Sequence, residues 1–140
     1  TFDTRGGVLN WGRQKIHEYH GTNRVITMPE VFTHSSNVAS AKMALGIGVP
    51  GHKAFLRKMM QLDRMTTELP ESAAPIVPQR WGEINTATIA FGHGLAASPL
   101  HLAAAYATVA NGGRKVTPTL IHGRTRPQGE LAEILRRAGR

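Results

Sequence analysis

Apolar and polar positions alternate over short distances at the start of the chain and settle into a helical period further on. Val8-Leu9 and Lys15-Ile16-His17 are short β-prone pieces among Gly6, Gly7, Gly12 and Gly21, so residues 1–24 read as a small hairpin or irregular connector. Thr27-Met28-Pro29-Glu30 carries an N-cap threonine, an early proline and a glutamate three positions on, the residues that satisfy the free amides of a first helical turn. The helix predicted there is short, because it runs into Ser35-Ser36-Asn37, whose side chains compete with the backbone and favour a break or a new cap. Val38, Ala41, Ala44 and Leu45 then recur at helical spacing as far as Gly46. After a turn at Val49-Pro50-Gly51, the positions of Phe55, Leu56, Met59, Met60 and Leu62 predict a third amphipathic helix. Its solvated side carries Lys53, Arg57, Lys58 and Arg64.

Pro70, Pro75 and Pro78 are too many for a helix, so residues 66–80 form a surface excursion of extended character. Residues 85–91 suit a helix that Gly92-His93-Gly94 interrupts. Ser98-Pro99 then caps and opens a new helix over residues 100–110, and Asn111-Gly112-Gly113 ends it. Alanine at 103, 104, 105, 107 and 110 predicts that this helix packs closely and is buried on several sides. Residues 116–121 read as one strand, 123–129 as a turn-rich connector, and 130–140 as an exposed basic helix or frayed end.

A chain of 140 residues with 41% hydrophobic content has the size of one domain and can bury about two-thirds of its surface. The net charge of +8 points first to nucleic acid or another anionic partner. Its distribution weakens that reading, because residues 114–140 hold seven of the 17 basic residues and only two of the nine acidic ones. No cysteine is present, which excludes disulfides, thiolate metal sites and cysteine nucleophiles. The longest largely apolar run, 102–110, falls far short of the roughly 20 residues a spanning helix needs, and the start shows no signal-peptide pattern. Residue 1 is Thr, so the chain is processed or begins inside a longer reading frame.

His17-Glu18-Tyr19-His20 has its histidines three apart in a glycine-rich stretch, whereas the helical zinc pattern needs four; no metal site or cofactor is expected. The other five histidines stand at no ligand spacing and suit hydrogen-bonded scaffold. Phe91-Gly92-His93-Gly94 could cradle a phosphate, but it lacks the accompanying residues of a phosphate loop and suits a tight turn better. Ser35-Ser36-Asn37 places a hydroxyl and a carboxamide at i and i+2 in an inter-helix turn. Such a pair suits a proton relay beside an amide that positions a substrate or a lysine, and equally an ordinary N-cap.

Longer words decide between these. Residues 32–44, Phe-Thr-His-Ser-Ser-Asn-Val-Ala-Ser-Ala-Lys-Met-Ala, and 87–107, from Ala87-Thr88-Ile89-Ala90-Phe91-Gly92-His93-Gly94 to Tyr106-Ala107, resemble the S-x-N segment and core-helix signature of class B penicillin-binding proteins, septal enzymes of the FtsI type. Ile16-His17-Glu18-Tyr19, Gln79-Arg80-Trp81 and Ala110-Asn111-Gly112-Gly113 match in the same order. The resemblance implies an α+β, mainly helical, partial β-lactamase/transpeptidase-like fold lacking most of the central sheet. It also implies a serine D,D-transpeptidase that cross-links peptidoglycan stem peptides and is trapped by β-lactams. Ser35 then lies on the proton route to the leaving nitrogen, Asn37 holds the lysine and the substrate amide, and Ser36 is a spacer. Members of the family are anchored in the inner membrane with the catalytic domain in the periplasm, among divisome proteins.

The chain departs from the family in two respects. No serine has a lysine three positions on, and Lys115 is followed by Val116-Thr117, so neither S-x-x-K nor K-T-G is present. The 140 residues therefore read as the middle of such a domain, residues 1–130, followed by a divergent basic tail, 131–140, such as a shifted reading frame would give. Alone, the chain is expected to be marginally stable and unable to acylate. The alternatives are a non-catalytic basic module that binds nucleic acid, disfavoured by the charge distribution and 6% aromatic content, and an inactive interaction domain for divisome contacts.

Overall fold

The computed structural model describes residues 1–121. Among the described residues four short strands are followed by four helices: β1 (Phe2–Asp3), β2 (Val8–Trp11), β3 (Gln14–His17), β4 (Val25–Ile26), α1 (Met28–Thr33), α2 (Asn37–Lys58), α3 (Glu83–Ile89) and α4 (Pro99–Ala110). The sheets are two antiparallel pairs, β1 with β4 and β2 with β3. The fold among the described residues is mainly helical, as the resemblance implies. The chain divides into two compact units, Thr1–Phe55 with Val77–Leu95, and Leu56–Ile76 with the segment from Ala96.

In the first unit β2 and β3 form the expected hairpin, with Trp11 opposite Gln14 across a two-residue turn and Val8 opposite His17 at the open end. α2 lies between two apolar clusters. Ala41 packs with Ile16 and Ala87, joined by Leu9, Leu45, Ile84 and Phe91, while Ala39 packs with Ile26 and Val31, joined by Phe2 and Met43. Residues 39 and 43, and 41 and 45, are i, i+4 pairs on opposite sides of the helix. Ala39 and Ala41 are fully buried, and small side chains there let the hairpin, α1 and α3 approach the α2 backbone. Lys42 reaches from α2 to donate to the Asp3 carbonyl at 2.5 Å.

α2 kinks at Gly48 (φ 78°, ψ 162°), so the predicted break lies two residues beyond Gly46 and Pro50 sits in the first turn of the second limb. That limb ends at Lys58, short of the expected Leu62. Met60, at φ 61°, lets its own N–H reach the Arg57 carbonyl and the Gln61 N–H reach that of Leu56, a Schellman closure. Ahead of the closure His52 is buried, and its ring meets Trp81 edge-on at 6.4 Å between centroids. Lys53 lies 5.0 Å over the same indole, whose Nε1 donates to Thr86.

In the second unit Met60, Met65 and Ala104 pack with Leu100. The 66–80 excursion is irregular apart from a bridge between Ile76 and Ala96, as its prolines predict. His101, 1% exposed, contacts Ser98 Oγ through Nδ1 (2.7 Å) and the Asp63 carbonyl through Nε2 (3.0 Å). A carbonyl only accepts, so Nε2 carries the proton and the Ser98 hydroxyl donates to Nδ1. Ser98 therefore marks the start of α4 as expected, with its hydroxyl serving His101 rather than a helix amide.

Two expectations need correction. α4 buries one stripe, His101, Ala104 and Thr108, and leaves Leu102, Tyr106 and Val109 exposed, because no other described element covers that side. Residues 116–121 form no strand. No described edge pairs with them, and Glu68 binds the Thr119 hydroxyl (2.5 Å) and the Leu120 N–H (2.9 Å) instead. The expected connector at 123–129 and basic tail at 130–140 lie outside the described residues. Among the described residues no helix is long and apolar enough to cross a membrane.

Burial holds the His52 imidazole below its ordinary value of 6.5, and its Nδ1 is buried without a partner among the described residues. The unfolded chain takes up this proton more readily than the folded one, so the contribution of neutral His52 is complete above about pH 6.5 and falls as the pH drops through that value. Thermal midpoints measured between about pH 5 and 8 should show this decline, and His52→Phe should flatten it.

Candidate active site

The segment of interest is built where two helix signals meet without a linker. α1 begins as its sequence predicts: Glu30 accepts from the Thr27 N–H and hydroxyl, both at 2.7 Å, and pairs with Arg24 at 2.6 Å. The Arg24 guanidinium, with the Thr27 donors, pulls the Glu30 carboxyl down to about 2, so this cap is lost only as the pH falls toward that value. α1 ends in a Schellman closure, in which the Ser35 N–H reaches the Phe32 carbonyl (3.2 Å) and the Ser36 N–H that of Val31 (3.0 Å).

Ser35 therefore occupies the left-handed position of the motif, at φ 51°. α3 and α4 close in the same way with Gly92 and Gly112 at that position, where a missing Cβ removes the steric cost. A serine pays about 1 kcal/mol or more there. Its side chain is exposed, and its hydroxyl has no protein partner among the described residues. No side-chain hydrogen bond among the described residues offsets that cost.

The next residue begins α2. Ser36 is 4% exposed, and its hydroxyl oxygen accepts the Ala39 N–H at 3.1 Å as an N-cap does. The same hydroxyl donates to Glu18 Oε1 at 2.5 Å. Glu18 lies one residue beyond β3, where its N–H bonds the Gly7 carbonyl (2.9 Å), and its carboxylate also accepts the backbone N–H of Asn37 (3.0 Å) and of Val38 (3.2 Å). A carboxylate at a helix N-terminus satisfies free amides and complements the dipole. The Asn37 amide nitrogen donates to the His17 carbonyl at 3.0 Å.

The structure thus presents Ser35 outward and ties Asn37 to the end of the hairpin. Ser36, read from sequence as a spacer, is the buried cap between them. No local pattern assigns Glu18 to the site, because its partners lie 18 to 20 positions away; the matching word Ile16-His17-Glu18-Tyr19 is the signal that points to it. Gly92-His93-Gly94 serves the closure of α3, the tight-turn reading.

The penicillin binding protein transpeptidase domain model matches residues 1–133. The chain belongs to this transpeptidase family. It is 37% identical over 131 residues to the probable peptidoglycan D,D-transpeptidase FtsI of Caulobacter vibrioides, covering 92% of the chain and 22% of that relative. Among solved structures it is similar to a peptidoglycan glycosyltransferase from Burkholderia ambifaria (TM-score 0.81, 23% identity, 91% of the chain and 40% of that protein). It is also similar to penicillin-binding protein 3 of Mycobacterium tuberculosis, complexed with aztreonam (TM-score 0.73, 28% identity, 81% of the chain and 26% of that protein). The FtsI-type resemblance drawn from the sequence words is borne out. The chain spans about a fifth of the length of the curated relatives it matches.

The left-handed serine gives a direct test. Ser35→Gly should raise stability by about 0.5–1 kcal/mol, by relieving the positive φ at an exposed site, and Ser35→Ala should leave it within about 0.5 kcal/mol. Denaturant midpoints measure both. A clear loss with glycine would mean that the hydroxyl holds the fold.

Proposed function

We propose that this chain supplies the S-x-N side of a penicillin-binding D,D-transpeptidase site that cross-links peptidoglycan stem peptides in septal wall synthesis. Ser35 passes the proton toward the leaving nitrogen, and Asn37 holds the substrate amide and a neighbouring lysine. The observation that carries this reading is the Ser35 hydroxyl, exposed and without a partner among the described residues, on a backbone position that favours glycine. An outlier kept at a cost is explained when the side chain acts on something outside the fold. Similarity to a relative named a peptidoglycan D,D-transpeptidase, and to a penicillin-binding protein 3 complexed with aztreonam, supports stem peptides and β-lactams as the ligands. In this reading the site faces the periplasm in a membrane-anchored protein, and divisome proteins are its partners.

The nucleophile and the opposite wall are not among these residues, since the sequence contains neither S-x-x-K nor K-T-G. Intact mass of the chain after incubation with penicillin should therefore show no adduct. In source-cell membranes labelled with fluorescent penicillin, the tryptic peptide Val25–Lys42 should be found in a labelled band well above 15.2 kDa. Its recovery only from an unlabelled band near 15.2 kDa would overturn the catalytic reading and leave binding as the function.

A further inference from the structure

We propose that Glu18, with the main-chain carbonyl of His17, is the positioning residue of the S-x-N segment; this rests on the reading of Ser35 and Asn37 above. Two consecutive residues at the end of the hairpin grip three consecutive residues at the start of α2. Glu18 accepts from the Ser36 hydroxyl (2.5 Å), the Asn37 N–H (3.0 Å) and the Val38 N–H (3.2 Å), and His17 accepts from the Asn37 side chain (3.0 Å). Ser36 caps only the Ala39 N–H, and Glu18 takes the Asn37 and Val38 amides that Ser36 leaves. Beyond the cap, Glu18 adds direction. It fixes the Ser36 rotamer and the Asn37 backbone, while the His17 bond sets the plane of the Asn37 amide and thereby the direction of Oδ1.

The clamp is itself anchored. β3 pairs with β2 through four residue pairs, the Glu18 N–H holds the Gly7 carbonyl, and Ile16 is buried against Ala41 of α2. Ser36 and Asn37 thus take their placement from hairpin residues 18 to 20 positions upstream. Ser35 stands next to the clamped Ser36, with its backbone fixed by the closure of α1. Glu18 touches no reacting atom in this scheme; it acts through Ser36 and Asn37.

The test places Glu18→Gln, Glu18→Asp and Ser35→Ala in the source cells. It measures penicillin capture by the band containing residues 25–42, per molecule of band and over a range of penicillin concentrations. Glu18→Gln keeps the size of the side chain but replaces one acceptor with a donor facing N–H groups. It should lower the limiting acylation rate on the order of 10- to 100-fold with little change in half-saturation, and Glu18→Asp should recover part of the loss. Unchanged capture in Glu18→Gln beside strong loss in Ser35→Ala overturns the positioning role alone. Unchanged capture in Ser35→Ala overturns the reading of the site, and the inference with it. In the isolated chain, the side-chain NH2 of Asn37 should exchange with solvent about tenfold faster or more in Glu18→Gln. Equal exchange there overturns the inference independently of any activity.

Discussion

The carboxylate of Glu18 stands at the junction between α1 and α2. α1 ends and α2 begins within three residues, and every backbone amide released at that junction needs an acceptor. The closure of α1 consumes the N–H groups of Ser35 and Ser36, and Ser36 serves Ala39. Glu18 takes the next two amides and the Ser36 hydroxyl. Because Glu18 belongs to the hairpin, the same contacts tie β3 to α2, whose alanines then pack against Ile16 on one side and Ile26 on the other. The site and the core of the unit depend on one long-range cap.

Much of this was legible in the sequence wherever the causes are local. The α1 start follows from Thr27 and Glu30, the hairpin from its glycines and β-prone pairs, the α4 start from Ser98-Pro99, and the irregular 66–80 segment from its prolines. What escaped depends on partners far along the chain or on backbone states that a residue name does not announce. The helical period ran on to Leu62, but Met60 adopts a left-handed conformation and closes the helix early, with its side chain buried beside Met65 and Ala104. Residues 116–121 have the composition of a strand but no edge to pair with among the described residues. In α4 the alanines gave the right helix and the wrong burial, since among the described residues only the His101, Ala104 and Thr108 stripe is buried.

The candidate site shows the same division. The segment Ser35-Ser36-Asn37 was found from its residues and its resemblance to a family, and the family is the one that residues 1–133 match. Reading the middle serine as a spacer missed its burial, and no local rule assigns a cap to a glutamate 18 positions upstream. The exposed Ser35 and the clamped Asn37 are complementary in physical terms: one is strained and free to act, the other constrained and set in direction. Helix closures with glycine at Gly92 and Gly112 show what the fold uses where no side chain is needed.

Native-state hydrogen exchange of the unmodified chain at the Asn37 and Val38 backbone amides tests this account most directly. Both donate to Glu18, so both should exchange at least about 100-fold more slowly than the amide of Arg13 at the exposed hairpin turn. Exchange of Asn37 and Val38 at the rate of Arg13 would mean that Glu18 does not cap α2 in solution, and the organisation of the site around it would be wrong.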